Sequence, residues 1–290
     1  MKKLIYLMFI VSVALLWSCD DDDPSGTSIF PIEPGNFNEM DKWLSENYTN
    51  PYNIELKYRM EDIESDVKYD LVPATVEKSH MLAKIIKHVW LEAYDEVVGI
   101  DFTRTYVPKM LHFIGSAAHN NNNTIVLGTA EGGLKITLYQ VNKTTTDINV
   151  LNENYLRTMH HEFSHILHQT KNYDIAFEKI TGTDYIGDDW SQGDNNDLRL
   201  ALSKGFITPY ARKNADEDFV ELIANYIINT QTAWDQRLSL AGTTGRAILE
   251  EKFAIVRNYL KNSWSIDIDE LRAVVLRRSG ELDKLDYTTY

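Results

Sequence analysis

The pattern of apolar and polar positions divides the chain before any motif is considered. Met1-Lys2-Lys3 is followed by an almost wholly apolar stretch from Leu4 to Leu16, and polarity then returns abruptly at Asp20-Asp21-Asp22-Asp23. Further on, Phe37, Met40, Trp43 and Leu44 recur at helical spacing and predict a short helix over 37–48, with Pro51 as its break. Tyr52, Ile54, Leu56 and Tyr58 alternate with polar residues, which predicts a strand with one buried face. Residues 74–98 carry an apolar stripe of Met81, Ile85, Ile86, Val89 and Trp90, a long amphipathic helix with Gly99 as its stop. Three strand candidates follow, Lys109–Ser116, Thr124–Leu127 and Leu134–Val141, separated by turns at Asn120–Asn123 and Gly132-Gly133. They predict an antiparallel meander. After Asn152 the pattern turns helical, with helices expected near 152–171, 195–204, 215–230, 244–262 and 267–279. Early strands and late helices predict an α+β fold, a small antiparallel or mixed sheet followed by a mostly helical C-terminal half.

Composition adds bounds to this picture. With 290 residues and 43% hydrophobic content the chain can bury a sizeable core, and residues 37–290 suit one folded domain, an α/β part to about 150 and a helical part from about 151. The formal charge of −14 excludes the basic stripe that nucleic acid requires, and also electrostatic docking to an anionic membrane surface. The basic start and the short apolar run have the layout of a secretory signal rather than of a membrane span. Cys19 is the single cysteine, so no internal disulfide is available for stability.

The chemistry is concentrated in His161-Glu162-Phe163-Ser164-His165. Two histidines four residues apart share one face of a helix and can grip one tetrahedral ion, Zn2+. The glutamate beside the first of them, Glu162, is then placed to take a proton from a water at the metal. Leu156, Met159, Phe163, Ile166 and Leu167 give this helix an apolar surround and a sheltered site. Neighbouring His160 points to another face and reads as packing or as support behind the ligands, while His168, a turn past His165, reads as a rim residue.

A catalytic zinc wants a third protein ligand and an open position. Residues 169–174 contain no histidine, so the ligand is expected from a later helix, as a carboxylate. The run from Asn214 to Glu221 is the best candidate: Glu217 and Glu221 share a face, the first to reach the metal and the second to support a histidine from behind. The same run has the composition of a solvated helix start favoured by the macrodipole, and Asp216 and Asp218 suit that reading.

His-Glu-Phe-Ser-His followed by Glu217-Asp218-Phe219-Val220-Glu221 resembles the glutamate-zincin pattern of lethal-factor-type endopeptidases. That resemblance implies Glu217 as the metal ligand and Tyr210, seven residues before it, as a phenol that assists the transition state. Leu16-Trp17-Ser18-Cys19 resembles the lipobox of bacterial lipoproteins, which implies a signal peptide over 1–18, lipidation of Cys19, and an acidic tether over 19–36. An acidic run at this place resembles a surface-export signal. Taken together, these motifs resemble the substrate-import-associated zinc metallohydrolase lipoproteins of Bacteroidetes. The resemblance implies a zinc peptidase on the outer membrane, exposed at the cell surface, acting on peptide or protein (glycoprotein included). It also implies partnership with an importer of the SusC/SusD type. A non-catalytic binding component of such an importer is the alternative reading, and intact Glu162 speaks against it.

Overall fold

The computed structural model describes residues 37–61, 68–119, 125–126, 128–131 and 134–290. The signal segment, Cys19, the acidic tether and the two turns expected at Asn120–Asn123 and Gly132-Gly133 lie outside the described residues. Helix α1 (Glu39–Leu44) continues through a π turn (Ser45–Thr49) into a last turn at Asn50–Tyr52. Pro51 was expected to break this helix. It sits instead inside the final turn, one residue before the helix ends, and Asn53 in the left-handed region ends the run (φ 56°).

Strand β1 (Glu55–Lys57) leads to helix α2 (Val76–Ile86), which Thr75 caps by accepting from the Lys78 N–H. A π turn (Lys87–Leu91) joins it to α3 (Glu92–Val98). Gly99, at φ 89°, stops α3 as expected, but the chain restarts at once in α4 (Ile100–Tyr106). A glycine stop signals the end of one helix and is silent about the next.

The strands pair differently from the expected meander. β2 (Met110–Phe113), β3 (Ala118–His119), β4 (Ile125–Val126), β5 (Gly128–Glu131) and β6 (Lys135–Leu138) follow in sequence. The main sheet has the order β1-β2-β6-β5, with β1, β2 and β6 parallel and β5 antiparallel to β6, while β3 and β4 form a separate antiparallel pair. Leu56 lies beside Leu111, and Leu111 beside Ile136. A parallel neighbour needs a crossover. The helices α2–α4 supply one between β1 and β2, and the excursion through β3–β5 supplies the other. β6 is consequently a central strand with all four residues buried, which its short alternating sequence did not reveal.

The C-terminal half is helical, as expected. A turn α5 (Ile148–Leu151) and a π segment (Asn152–Leu156) run into α6 (Arg157–Thr170). Then come α7 (Ala176–Ile180), α8 (Leu198–Ser203), α9 (Ala215–Ile228), α10 (Gln231–Leu240), α11 (Gly242–Trp264) and α12 (Ile268–Ser279). Residues Glu39–Tyr290 form one compact unit. Its core runs from the sheet into the helices through Phe163, which is fully buried and meets Trp90 at 5.5 Å and Tyr94 at 4.9 Å, both edge to face. That wedge fixes the rotation of α6. Met159, Phe163 and Leu167 face the core, and the opposite side of α6 turns His161, His165 and His168 toward α9, its main helical neighbour.

Candidate metal centre

Each element of the site is fixed locally before the side chains meet. Asn214 caps α9, its Oδ1 accepting from the Glu217 N–H at 2.9 Å. Just upstream, the 3-10 turn Tyr210–Arg212 is closed by Thr208, whose Oγ1 accepts from the Ala211 N–H at 3.2 Å. The Thr208 hydroxyl donates in turn to Glu221 Oε2 at 2.7 Å, so one side chain ties the turn to α9.

On this frame His161, His165 and Glu217 converge. His161 Nε2 lies 3.1 Å from Glu217 Oε2, His165 Nε2 lies 3.3 Å from the same oxygen, and the two Nε2 atoms are 3.2 Å apart. Behind them, His161 Nδ1 is 2.9 Å from Glu221 Oε1, and His165 Nδ1 is 2.9 Å from His168 Nε2. Glu221 is buried and also takes Arg157 Nη1 and Asn225 Nδ2, each at 3.4 Å. The second oxygen of Glu217 accepts from the Tyr210 hydroxyl at 2.8 Å and from Lys213 Nζ at 3.3 Å.

The donor set suits a divalent ion. With their Nδ1 atoms engaged from behind, both imidazoles turn Nε2 toward one carboxylate oxygen, an arrangement that positive charge at the centre stabilises, whether a metal ion or a proton on His161. Ligand bonds of about 2.0–2.1 Å in tetrahedral geometry place neighbouring donor atoms about 3.3 Å apart, close to the three separations observed here. Among the described residues this is the group of three metal-ligating side chains whose donor atoms lie within 4.8 Å of one another.

The surrounding charges respond to this crowding. Burial opposes a charge on His161, but its hydrogen bonds to Glu217 and Glu221 outweigh that and push the imidazole up to about 10. Burial also works against ionised Glu217 and Glu221. His161 and His165 nevertheless hold Glu217 far below the carboxylate range, and Arg157 with His161 holds Glu221 at about 2. Glu162, half-buried beside the cluster, is raised above the ordinary carboxylate value by burial. Burial and the charge of Glu217 push the Tyr210 phenol well above its usual range.

The structure brings together His161, His165, Glu217, Glu221 and Tyr210, with Glu162 adjacent on α6. Tyr210 stands against the Glu217 carboxylate, to which its hydroxyl donates. His160 is buried as expected, with Nδ1 3.1 Å from the Tyr94 hydroxyl, and burial lowers its imidazole to about 3. His168 is not a rim residue. It is buried behind His165, because a step of three residues along a helix returns to the same face. Sequence reasoning also passed over Thr208, Arg157 and Lys213. Of these Lys213, four before Glu217, and Arg157, four before His161, carried a spacing signal.

Comparison with known proteins agrees with this chemistry. Residues 33–269 match the model of a family described as "Putative zinc-binding metallo-peptidase". The crystal structure of a protein given that same description, from Bacteroides caccae, is 45% identical in sequence, with a TM-score of 0.75 over 86% of this chain and 94% of that one. No curated protein matches. The match spans most of the chain and includes both α6 and α9, and the chain belongs to this family of zinc-binding metallopeptidases.

Proposed function

We propose that this chain is a peptidase of the glutamate-zincin type, with His161, His165 and Glu217 holding the zinc and Glu162 as the general base. The convergence of both Nε2 atoms on Glu217 Oε2, with both Nδ1 atoms engaged from behind, carries this reading. Zinc, when bound, polarises a carbonyl and acidifies water. Glu162 takes the proton of the attacking water and returns it to the leaving amine, and its raised proton affinity suits a group that must do both. Tyr210 exchanges its hydrogen bond from Glu217 Oε1 to the oxyanion that forms on the substrate, and Lys213 keeps that Glu217 oxygen bonded meanwhile.

An extended peptide would pair with the outer edge of β5. β6 is flanked on both sides within the sheet, whereas β5 ends the sheet order and lies beside α6. Cys19 and the acidic run after it support a lipid-anchored protein at the cell surface, where a peptidase could serve a nutrient importer of the SusC/SusD type. Metal analysis with a peptide-library digest tests the core of this reading. Stoichiometric zinc and cleavage that Glu162→Gln abolishes are expected, and zinc without cleavage, or equal cleavage by the variant, would overturn it.

A further inference from the structure

His168 has no place in the reaction as described, yet it is buried against the centre. Its Nε2 is 2.9 Å from His165 Nδ1, and its ring packs between Tyr173 and Phe219, centroids 5.6 and 6.3 Å away. Its Nδ1 faces Asp216 Oδ1 at 3.9 Å, too long for a hydrogen bond but near enough for the carboxylate to favour a proton on that nitrogen. The Tyr173 hydroxyl donates to the same Asp216 oxygen at 2.7 Å and so fixes it.

We propose that His168 is a positioning residue for the metal, setting the tautomer and ring orientation of His165 through the bond between their facing nitrogens. The inference rests on His161, His165 and Glu217 being the ligand set. A neutral imidazole has one N–H and one lone pair. With the Nε2 lone pair of His165 on the metal, its proton sits on Nδ1 and is donated to His168 Nε2. The proton of His168 is then on Nδ1, toward Asp216, and the chain Tyr173, Asp216, His168, His165 has a single consistent set of protons. The two histidine ligands are thus held by different means, His161 by the carboxylate of Glu221 and His165 by a neutral ring. A carboxylate at 168 would orient His165 equally well but would add a third anion behind the zinc, beside Glu217 and Glu221. An imidazole orients without that charge.

The test compares zinc affinity, by chelator competition, in His168→Met and His168→Gln, with His165→Ala as the control on the ligand set. Methionine fills the space without an acceptor, whereas glutamine places an amide oxygen near the Nε2 position. His168→Met is expected to bind zinc about ten- to a hundredfold more weakly, and His168→Gln to stay within about threefold of wild type. In the zinc-loaded wild type, ring nitrogen NMR is expected to show His165 protonated at Nδ1 in a hydrogen bond, a readout that survives if His168→Met does not fold. Wild-type affinity in His168→Met, equal losses in both variants, or His165 bound to zinc through Nδ1 would overturn the inference. Undiminished zinc binding by His165→Ala would remove the ligand set itself. Loss there with no effect at 168 would remove only the role of His168.

Discussion

In the proposed ligand set, zinc must displace a proton from His161. His161, buried between Glu217 Oε2 and Glu221 Oε1, is pushed up to about 10, so at pH 7 its ring carries two protons. Zinc needs the Nε2 lone pair, so binding releases that proton. Glu217, held far below its usual range, has none to give. Between pH 7 and 9 the apparent zinc affinity is therefore expected to rise about tenfold per unit. The gap from pH 7 to a value of about 10 corresponds to about 4 kcal/mol at about 1.4 kcal/mol per unit. Stability moves the other way. A pKa raised in the folded state above the unfolded value of about 6.5 gives stabilisation that is complete below about pH 6.5 and fades as pH climbs toward 10. The metal-free protein should accordingly lose stability through that window, whereas the zinc form, with no proton on His161 Nε2, should lack this term. Titration calorimetry in two buffers of different ionisation enthalpy counts the protons released at pH 7, and chelator competition at pH 7, 8 and 9 gives the slope. A flat affinity, or proton release near zero, would mean that His161 is neutral without metal and that the account of its two carboxylate partners is wrong.

Other consequences are more local. Glu162→Gln should lower turnover by about 10²–10⁴ with zinc content unchanged by elemental analysis, since the role proposed for Glu162 is to move a proton and not to bind the metal; lost zinc would contradict that division. Lys252 and Asp218 form a buried pair at 2.5 Å beneath α9, so Lys252→Met should cost about 3–5 kcal/mol in urea unfolding by stranding the carboxylate. Lys252→Met with Asp218→Leu should recover much of that loss, and failure to recover would show that packing and not charge is at stake. In α11, a Cβ on Gly245 would stand 2.1 Å from the Leu202 carbonyl oxygen of α8, so Gly245→Ala should destabilise by about 1–3 kcal/mol in the same assay.

What was legible in the sequence and what was not divide along a physical line. The motif helix, α9 and α12 were readable because their apolar residues repeat at 3.6 over three or more turns, a local property of the chain. The same local logic put His161 and His165 on one face, and Glu217 and Glu221 on another helix with the same spacing. Strand direction is not local. Lys109–Ser116 and Leu134–Val141 have the alternation of strands whichever way they pair, and only the crossover of the intervening chain makes β2 and β6 parallel. The partners of Glu221 other than His161 were invisible for the same reason. Thr208 lies in a turn 13 residues away and Arg157 on α6, 64 away, and no spacing rule connects either to a carboxylate on α9. His168 is the instructive case, since it stood three residues from His165 and still read as a rim position. On a lone helix it would be one. Burial comes from Phe219 of α9 and from Tyr173, which close over it and hold an end-of-helix histidine against His165. His161, His165, Glu217 and Glu221 follow from helical periodicity, whereas Thr208, Arg157 and His168 join them through how the helices and the turn meet, so that second set is where a sequence alone loses the argument.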